Sequence, residues 1–130
     1  MTDIEICGLS TPETVDAAVD AGASHIGLVH YEPSPRHVSL GTAAKLRARV
    51  PQSTKVVLLT VKMQPNDLET AYRTVMPDVL QFHGSENVEW IGAVRNVLKV
   101  ECWRAIGLRD RTVLEKSARF VGKVDRLLFD

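Results

Sequence analysis

The thiol of Cys7 is the side chain of this sequence best placed for chemistry. An apolar strand ends at this cysteine, Gly8 turns the chain, and residues 10–13 have the composition of a helix start. Barrel and doubly wound enzymes carry reactive side chains at the carboxyl ends of strands, next to such turns. A single cysteine in a strand is more often a small buried hydrophobe, so a catalytic Cys7 needs partners from other strands.

Three other strand ends carry polar side chains that could be those partners. A loop over residues 31–38 contains two prolines and Arg36, and it begins where the second strand ends. His83 follows the fourth strand, and Asp130 ends the sixth. Because the carboxyl ends of parallel strands meet at one edge of a sheet, we expect these groups to face a shared cleft with Cys7.

Strand-like and helix-like segments alternate from one end of the chain to the other, which favours parallel βα units. Predicted strands cover residues 4–7, 24–30, 55–61, 79–82, 99–106 and 126–130, and predicted helices cover 12–21, 40–50, 65–75, 86–97 and 110–121. Ser39 and Ser85 are expected to cap two of these helices, and Gly22 to end the first. No linker divides the chain into two domains.

The sixth strand creates a problem at the edge of the sheet. It has no covering helix and no neighbour on its far side, and an apolar edge of that kind invites pairing with another chain. We therefore expect an α/β fold, the front part of a (β/α)8 TIM barrel, with residues 1–130 forming one domain truncated before strands 7 and 8. An open sheet with the first or last strand in its interior is the alternative. Exposed edges also make a homo-oligomer an expectation.

The composition is that of an ordinary globular domain, and it argues against several classes of partner. Sixteen basic and sixteen acidic residues give a formal net charge of zero, and no basic stripe favours nucleic acid or an anionic membrane. Apolar runs of under about ten residues are too short to cross a bilayer. The two cysteines do not form a disulfide framework and no leader precedes Asp3, so we expect a cytoplasmic protein that acts on small molecules.

Five segments, in order and with matching spacing, resemble phosphoribosylanthranilate isomerase. They cover residues 7–9, 26–29, 34–39, 81–84 and 127–130. The Ser-Pro-Arg loop and the Gln-Phe-His-Gly turn are the specific ones, and the resemblance extends over the whole chain. It implies a βα barrel that converts N-(5-phosphoribosyl)anthranilate into 1-(2-carboxyphenylamino)-1-deoxyribulose 5-phosphate, an Amadori rearrangement in tryptophan biosynthesis, with no cofactor and no metal.

The resemblance also implies roles for four residues. Cys7 is the base that removes the proton from the second carbon of the sugar, and Asp130 is the acid that protonates the furanose oxygen as the ring opens. Arg36 binds the anthranilate carboxylate, for which a planar guanidinium is suited. His83 lies in the active-site mouth, against the substrate. The base role requires a thiolate, and the reference pKa of a cysteine thiol is near 8.5. The acid role requires the pKa of Asp130 to be raised above that of a free aspartate.

The sequence departs from the pattern of the resembled family in several places. Lysine is common at the position of Glu5, and its loss removes one cation that could lower the pKa of Cys7. Lys62 stands where asparagine or aspartate is common, and Arg104 stands where lysine is frequent. His30 stands where an aromatic residue is usual. The phosphate-binding elements of the family follow its seventh and eighth strands, so we expect residues 1–130 alone to bind substrate poorly.

Two other functions are open at this point. A partial barrel could be a noncatalytic binding or assembly module that pairs its edges with another chain. A related phosphosugar isomerase, the one in histidine biosynthesis, runs a similar reaction. That enzyme is expected to use two aspartates, so Cys7 argues against it.

Overall fold

A computed structural model describes residues 2–107 and 117–129 of the chain. The strands in this part are β1 (Glu5–Cys7), β2 (His25–His30), β3 (Lys55–Thr60), β4 (Val79–Phe82), β5 (Glu101–Ile106) and β6 (Arg126–Phe129). The helices are α1 (Pro12–Asp20), α2 (Leu40–Ala48), α3 (Pro65–Val75) and α4 (Val88–Leu98), and Ala118–Phe120 form a short 3-10 turn. Of the helices described, none is both long and apolar enough to span a bilayer.

The six strands form one parallel sheet in the order β1 to β6, so each βα unit adds its strand beside the previous one. Register is continuous through the sheet: Cys7 pairs with Gly27, and Leu59 pairs with Gln81. β1 and β6 are the two edges of the sheet as described. The result is an incomplete α/β barrel, as the sequence predicted.

Alternate strand positions form two apolar layers, because successive side chains of a strand point to opposite faces. The outer layer packs against the helices and includes Ile26, Leu28, Val56, Leu58 and Leu80 from the strands, with Val15, Leu46, Leu68 and Ile91 from α1 to α4. The inner layer is smaller and consists of Val57, Val79 and Trp103, with Leu128 packed against them. The outer layer holds the fold together, and the inner face supplies the interior of the half-barrel.

Local hydrogen bonds fix several helix ends. α1 begins behind Thr11, whose Oγ1 accepts from the backbone N–H of Thr14 at 3.2 Å, and the Thr14 hydroxyl accepts from the Thr11 N–H at 3.3 Å. Gly22, at φ 90°, follows the end of α1 as predicted. α3 and α4 end on Met76 and Lys99, which adopt left-handed conformations at φ 53° and 55°.

Some predicted boundaries were wrong. Ser85 does not cap α4: the Oδ1 of Asn87 accepts from the N–H of Trp90 at 2.8 Å instead. β5 begins two residues after Lys99, because Lys99 ends α4, and α2 ends at Ala48 rather than at residue 50. Most of the helix predicted over residues 110–121 lies outside the described residues.

Candidate active site

The carboxyl ends of the strands surround a cleft of about 600 Å³. Its polar lining residues include Glu5, Cys7, Arg36, Gln81 and His83, and apolar side chains from β2, β3, β5 and β6 complete it. Three of the four residues singled out in the sequence therefore line one cleft. The fourth, Asp130, lies outside the described residues, and the residue before it, Phe129, also lines the cleft.

Gly27 creates the space that the Cys7 side chain occupies. A Cβ at position 27 would lie 2.8 Å from the Sγ of Cys7 and 3.1 Å from its Cα. Because carbon and sulfur atoms do not pack that closely, a side chain here would displace the thiol or separate β1 from β2. The carbonyl of Gly27 also accepts from the N–H groups of Gly8 and Leu9, at 3.0 and 3.2 Å, which fixes the turn after Cys7.

Arg36 lies across that turn. Gly8 has φ 80°, and a Cβ on it would come within 2.5 Å of the Cδ of Arg36. The backbone conformation therefore favours glycine at position 8, and a side chain there would also displace the Arg36 side chain. The backbone N–H of Arg36 donates to the Oγ of Ser34 at 3.1 Å, which ties the loop after β2 together. Arg36 lines the cleft from this loop.

The thiol of Cys7 is strongly protonated in this structure. Burial, followed by the negative charge of Glu5, raises the pKa of Cys7 to about 11, and the Gly8 backbone N–H and the Arg36 guanidinium act in the opposite direction. At pH 7 a pKa of about 11 leaves only ~1 thiol in 10⁴ ionised. The base role thus requires a change on substrate binding or a second group that takes up the thiol proton.

Glu5 is the ionisable residue closest along the strand to Cys7. Both residues face the interior of the half-barrel because they are two positions apart on β1, and both line the cleft. Burial raises the pKa of Glu5, while hydrogen bonding to the Cys7 thiol opposes that shift. Within the described part of the chain, the Oε2 of Glu5 is buried with no hydrogen-bond partner.

Glu86 joins two loops of the rim. Its carboxylate accepts from the backbone N–H of Lys62 at 2.7 Å and from that of Gly84 at 2.8 Å, and Arg104 lies 4.0 Å away. The Glu86 side chain is 3% exposed, so these are buried, charge-assisted hydrogen bonds. They place the turn that carries His83 against the end of β3, where Lys62 adopts a left-handed conformation with φ 49°.

The amino-terminal end of the half-barrel is occupied by a separate cluster. Arg126, at the start of β6, forms an ion pair with Asp3 at 2.8 Å, and its guanidinium lies 5.0 Å from the ring centroid of Trp103. The Trp103 and His25 rings are 5.1 Å apart. This cluster links the two edge strands across the interior and lies at the end opposite the candidate active site.

Arg104 faces away from the cleft that contains Cys7. Its Nη1 donates to the carbonyls of Ala105 and Phe82 at 2.9 and 3.3 Å, and its guanidinium lies over the Phe120 ring. It lines a second cleft of about 510 Å³ beside the turn after β4. Burial lowers the pKa of Arg104. No group of three or more His, Cys, Asp or Glu side chains suited to a metal occurs in residues 2–107 and 117–129.

Sequence reasoning overlooked three polar groups at this end of the half-barrel. Gln81 is 4% exposed and lines the cleft, and no hydrogen-bond partner for its Oε1 occurs among the residues described. Glu86 was not considered, and Glu5 was noted only as a departure from a pattern. Strand alternation could have found Glu5 and Gln81, because each lies two positions from another inner residue of its strand, Cys7 and Val79 respectively. Glu86 left no such signal, since a loop carboxylate is usually exposed.

A family sequence model described as N-(5'-phosphoribosyl)anthranilate (PRA) isomerase matches residues 4–130. The curated N-(5'-phosphoribosyl)anthranilate isomerase of Erythrobacter litoralis is 60% identical over the whole chain, which covers 62% of that protein. The isomerase of Afipia carboxidovorans is 43% identical over 98% of the chain, which covers 54% of it. The chain therefore spans somewhat more than half the length of these relatives.

Solved structures show the same fold. A phosphoribosyl anthranilate isomerase in complex with reduced 1-(o-carboxyphenylamino)-1-deoxyribulose 5-phosphate superposes with a TM-score of 0.93 at 23% identity, over all of this chain and 65% of that one. A structure of monomers generated from the dimeric isomerase of Thermotoga maritima gives 0.90 at 24% identity, over 100% and 66%. TrpF from Jonesia denitrificans gives 0.85 at 27% identity, over 100% and 62%.

Proposed function

This chain belongs to the N-(5'-phosphoribosyl)anthranilate isomerase family, and from that membership we propose that it forms the first six strands of an enzyme with that activity. The proposed reaction is the Amadori rearrangement of N-(5-phosphoribosyl)anthranilate to 1-(2-carboxyphenylamino)-1-deoxyribulose 5-phosphate. The observation that carries the proposal is the cleft at the carboxyl ends of the strands, which brings Cys7, Arg36 and His83 together. Residues 1–130 are proposed to belong to a single domain, a (β/α)8 barrel whose remaining strands lie outside this sequence.

The chemistry needs an acid and a base on opposite sides of the sugar. In the proposed mechanism Asp130 protonates the furanose oxygen, the ring opens to an iminium, and Cys7 removes the proton from the second carbon to give an enolamine. A proton added to the first carbon, with loss of the hydroxyl proton from the second carbon, then yields the ketoamine product. Every step is a proton transfer or a bond shift within the substrate, so the reaction requires no cofactor and no metal.

Arg36 and His83 are proposed to bind the substrate. The Arg36 side chain lies at the rim over Gly8, where the N–H donors of its planar guanidinium could bond a carboxylate that enters the cleft. His83 lines the same cleft, on a turn that the buried Glu86 holds in place. The substrate phosphate would be held by elements outside residues 1–130, which is where βα barrels commonly place such sites.

The test is an isomerase assay on the polypeptide that contains this chain with all eight strands. Product formation should fall by at least ~100-fold in Cys7→Ser and in Asp130→Asn, with KM nearly unchanged, because neither change removes a group proposed to bind ground-state substrate. Cys102→Ala is the matched control, since Cys102 is buried in the outer layer and should retain turnover. Turnover in Cys7→Ser equal to that of the wild type would exclude the base assignment.

The cellular setting and assembly state are also part of the proposal. Both cysteines are free, which agrees with a reduced compartment such as the cytoplasm. The edge strands expose Ile4, Ile6 and Phe129, at 55%, 36% and 48%, so homo-oligomer formation through a sheet edge is proposed for any form in which further strands do not cover them. Sedimentation of the purified polypeptide across a concentration series measures the assembly state directly.

A further inference from the structure

The inner face of β1 places a carboxyl and a thiol side by side in the cleft. Glu5 and Cys7 are separated by one residue, Ile6, whose side chain points to the opposite face, so the two polar groups are neighbours on one face. Both are half-buried and both line the cleft. Each group affects the pKa of the other: the negative charge of Glu5 raises the pKa of Cys7, and hydrogen bonding to Cys7 acts to lower the pKa of Glu5.

Among the residues described, the Glu5 carboxyl has no other polar partner that would fix its charge. In residues 2–107 and 117–129, no lysine or arginine forms an ion pair with Glu5, and its Oε2 is buried without a hydrogen-bond partner. Tyr31, Arg36 and His83 are the other titratable side chains described in this cleft. A carboxyl in this position can take up a proton at low cost, because burial disfavours its charged form.

We propose that Glu5 accepts the proton of the Cys7 thiol, so that the carboxylate and the thiol act together as the base of the isomerisation. This inference rests on the proposed function. When Sγ takes the proton from the second carbon of the substrate, the S–H proton passes to the Glu5 carboxylate. One C–H bond breaks and one O–H bond forms, the electron pair of the C–H bond enters the enolamine, and the sulfur ends as it began, as a neutral thiol.

This arrangement resolves the difficulty posed by the protonated thiol. A free thiolate beside an ionised Glu5 would place two negative charges in a partly buried site, and the structure disfavours that state. Passing the thiol proton to Glu5 avoids that state, because the pair carries one negative charge before the transfer and none after it, and never two. Glu5 is thus a positioning and proton-accepting residue that acts through Cys7 rather than on the substrate itself.

The decisive variant is Glu5→Gln in the complete polypeptide, because two explanations predict opposite changes in turnover. If Glu5 receives the thiol proton, kcat falls by about 100-fold while KM changes little. If Glu5 only suppresses the thiolate, removing its charge makes Cys7 a better base and kcat is maintained or rises. Glu5→Asp, which keeps the carboxylate, should recover much of the turnover, and Glu13→Gln in the first turn of α1 is the matched control.

Alkylation of Cys7 by iodoacetamide gives a second readout that does not require isomerase activity. In a Cys102→Ala background, the pH at which Cys7 becomes reactive should be lower in Glu5→Gln than in the parent, because the carboxylate charge is gone. A merely structural role would not produce a lower alkylation pH together with lower turnover. A wild-type polypeptide without isomerase activity would contradict the proposed function, whereas an unchanged alkylation pH or an undiminished kcat in Glu5→Gln would overturn this inference.

Discussion

Gly27→Ala is the substitution that tests most directly how the fold makes room for the candidate base. The added Cβ would lie 2.8 Å from the Sγ and 3.1 Å from the Cα of Cys7. The thiol can rotate away, but the backbone of β1 cannot, because it is paired with β2 from Glu5 to Cys7. The substitution should therefore shift the thiol and strain the edge strand.

The magnitude follows from two opposing effects on stability. Overpacking a well-filled site costs about 1–3 kcal/mol. Replacing glycine by alanine restricts the unfolded chain and returns about 0.4–1 kcal/mol. The net loss in the free energy of unfolding is therefore about 0–2.6 kcal/mol, which corresponds to a fall of up to about 1.3 M in the urea midpoint at a slope of about 2 kcal/mol per M.

Gly92→Ala is the matched control because it makes the same chemical change in open space. Gly92 lies inside α4, and a Cβ there meets nothing within 4 Å. Alanine in a helix interior should raise the free energy of unfolding by about 0.5–1 kcal/mol, so the two variants should move the urea midpoint in opposite directions. If Gly27→Ala matched or exceeded the wild-type midpoint and left Cys7 alkylation unchanged, the close approach would have no energetic consequence and the reasoning would fail.

Three further predictions concern the rim of the cleft. Arg36→Ala should raise KM by roughly 10- to 150-fold, equivalent to about 1.5–3 kcal/mol for a charge-assisted hydrogen bond, and an unchanged Michaelis constant in steady-state assays would count against it. Glu86→Gln should lower the free energy of unfolding by about 1–3 kcal/mol in urea titrations, because the N–H groups of Lys62 and Gly84 bond to different oxygens of Glu86, and glutamine replaces one of those oxygens with an NH2 donor. Burial raises the pKa of Glu5 from its usual 4.5, so the folded protein binds that proton more tightly than the unfolded chain, and stability is lost as pH rises above 4.5 through the raised value. Urea midpoints of Glu5→Gln and wild type should therefore differ more at pH 7.5 than at pH 4, with the variant relatively more stable at pH 7.5.

The alternation of elements was readable from the sequence because it depends on local chemistry. Buried parallel strands such as Lys55–Thr60 are continuous apolar runs, and Pro12 and Pro65 mark helix starts that the structure retains. The Ser85 cap was wrong because the Asn87 side chain caps α4 instead, with its Oδ1 accepting from the N–H of Trp90. Glu86 was overlooked because its hydrogen bond from the Lys62 N–H spans 24 residues, and such a long-range contact leaves no periodic signal in the sequence.

The candidate site likewise has features that the sequence predicts and features that it does not. The placement of Cys7, Arg36 and His83 at one rim follows from strand order, which the βα alternation predicts. The protonation state of Cys7 does not follow, because it depends on burial and on the charge of Glu5 two positions earlier. Burial outweighs the Gly8 backbone N–H, which acts to lower the pKa of Cys7.

The side chains of β1 alternate between the outer face of the sheet and the cleft, so its register decides which residues the cleft receives. Ile6 faces the outer side of the sheet, whereas Glu5 and Cys7 face the cleft, and the pairing of Cys7 with Gly27 fixes this orientation. A shift of one residue in that register would turn the thiol away from the cleft and bring Ile6 into it. The N–H groups of Gly8 and Leu9, which donate to the Gly27 carbonyl, oppose that shift because both hydrogen bonds would be lost. The turn after β1 thus holds two poorly solvated ionisable groups in a position that their own burial energies disfavour, and that is the position in which the proposed proton transfer takes place.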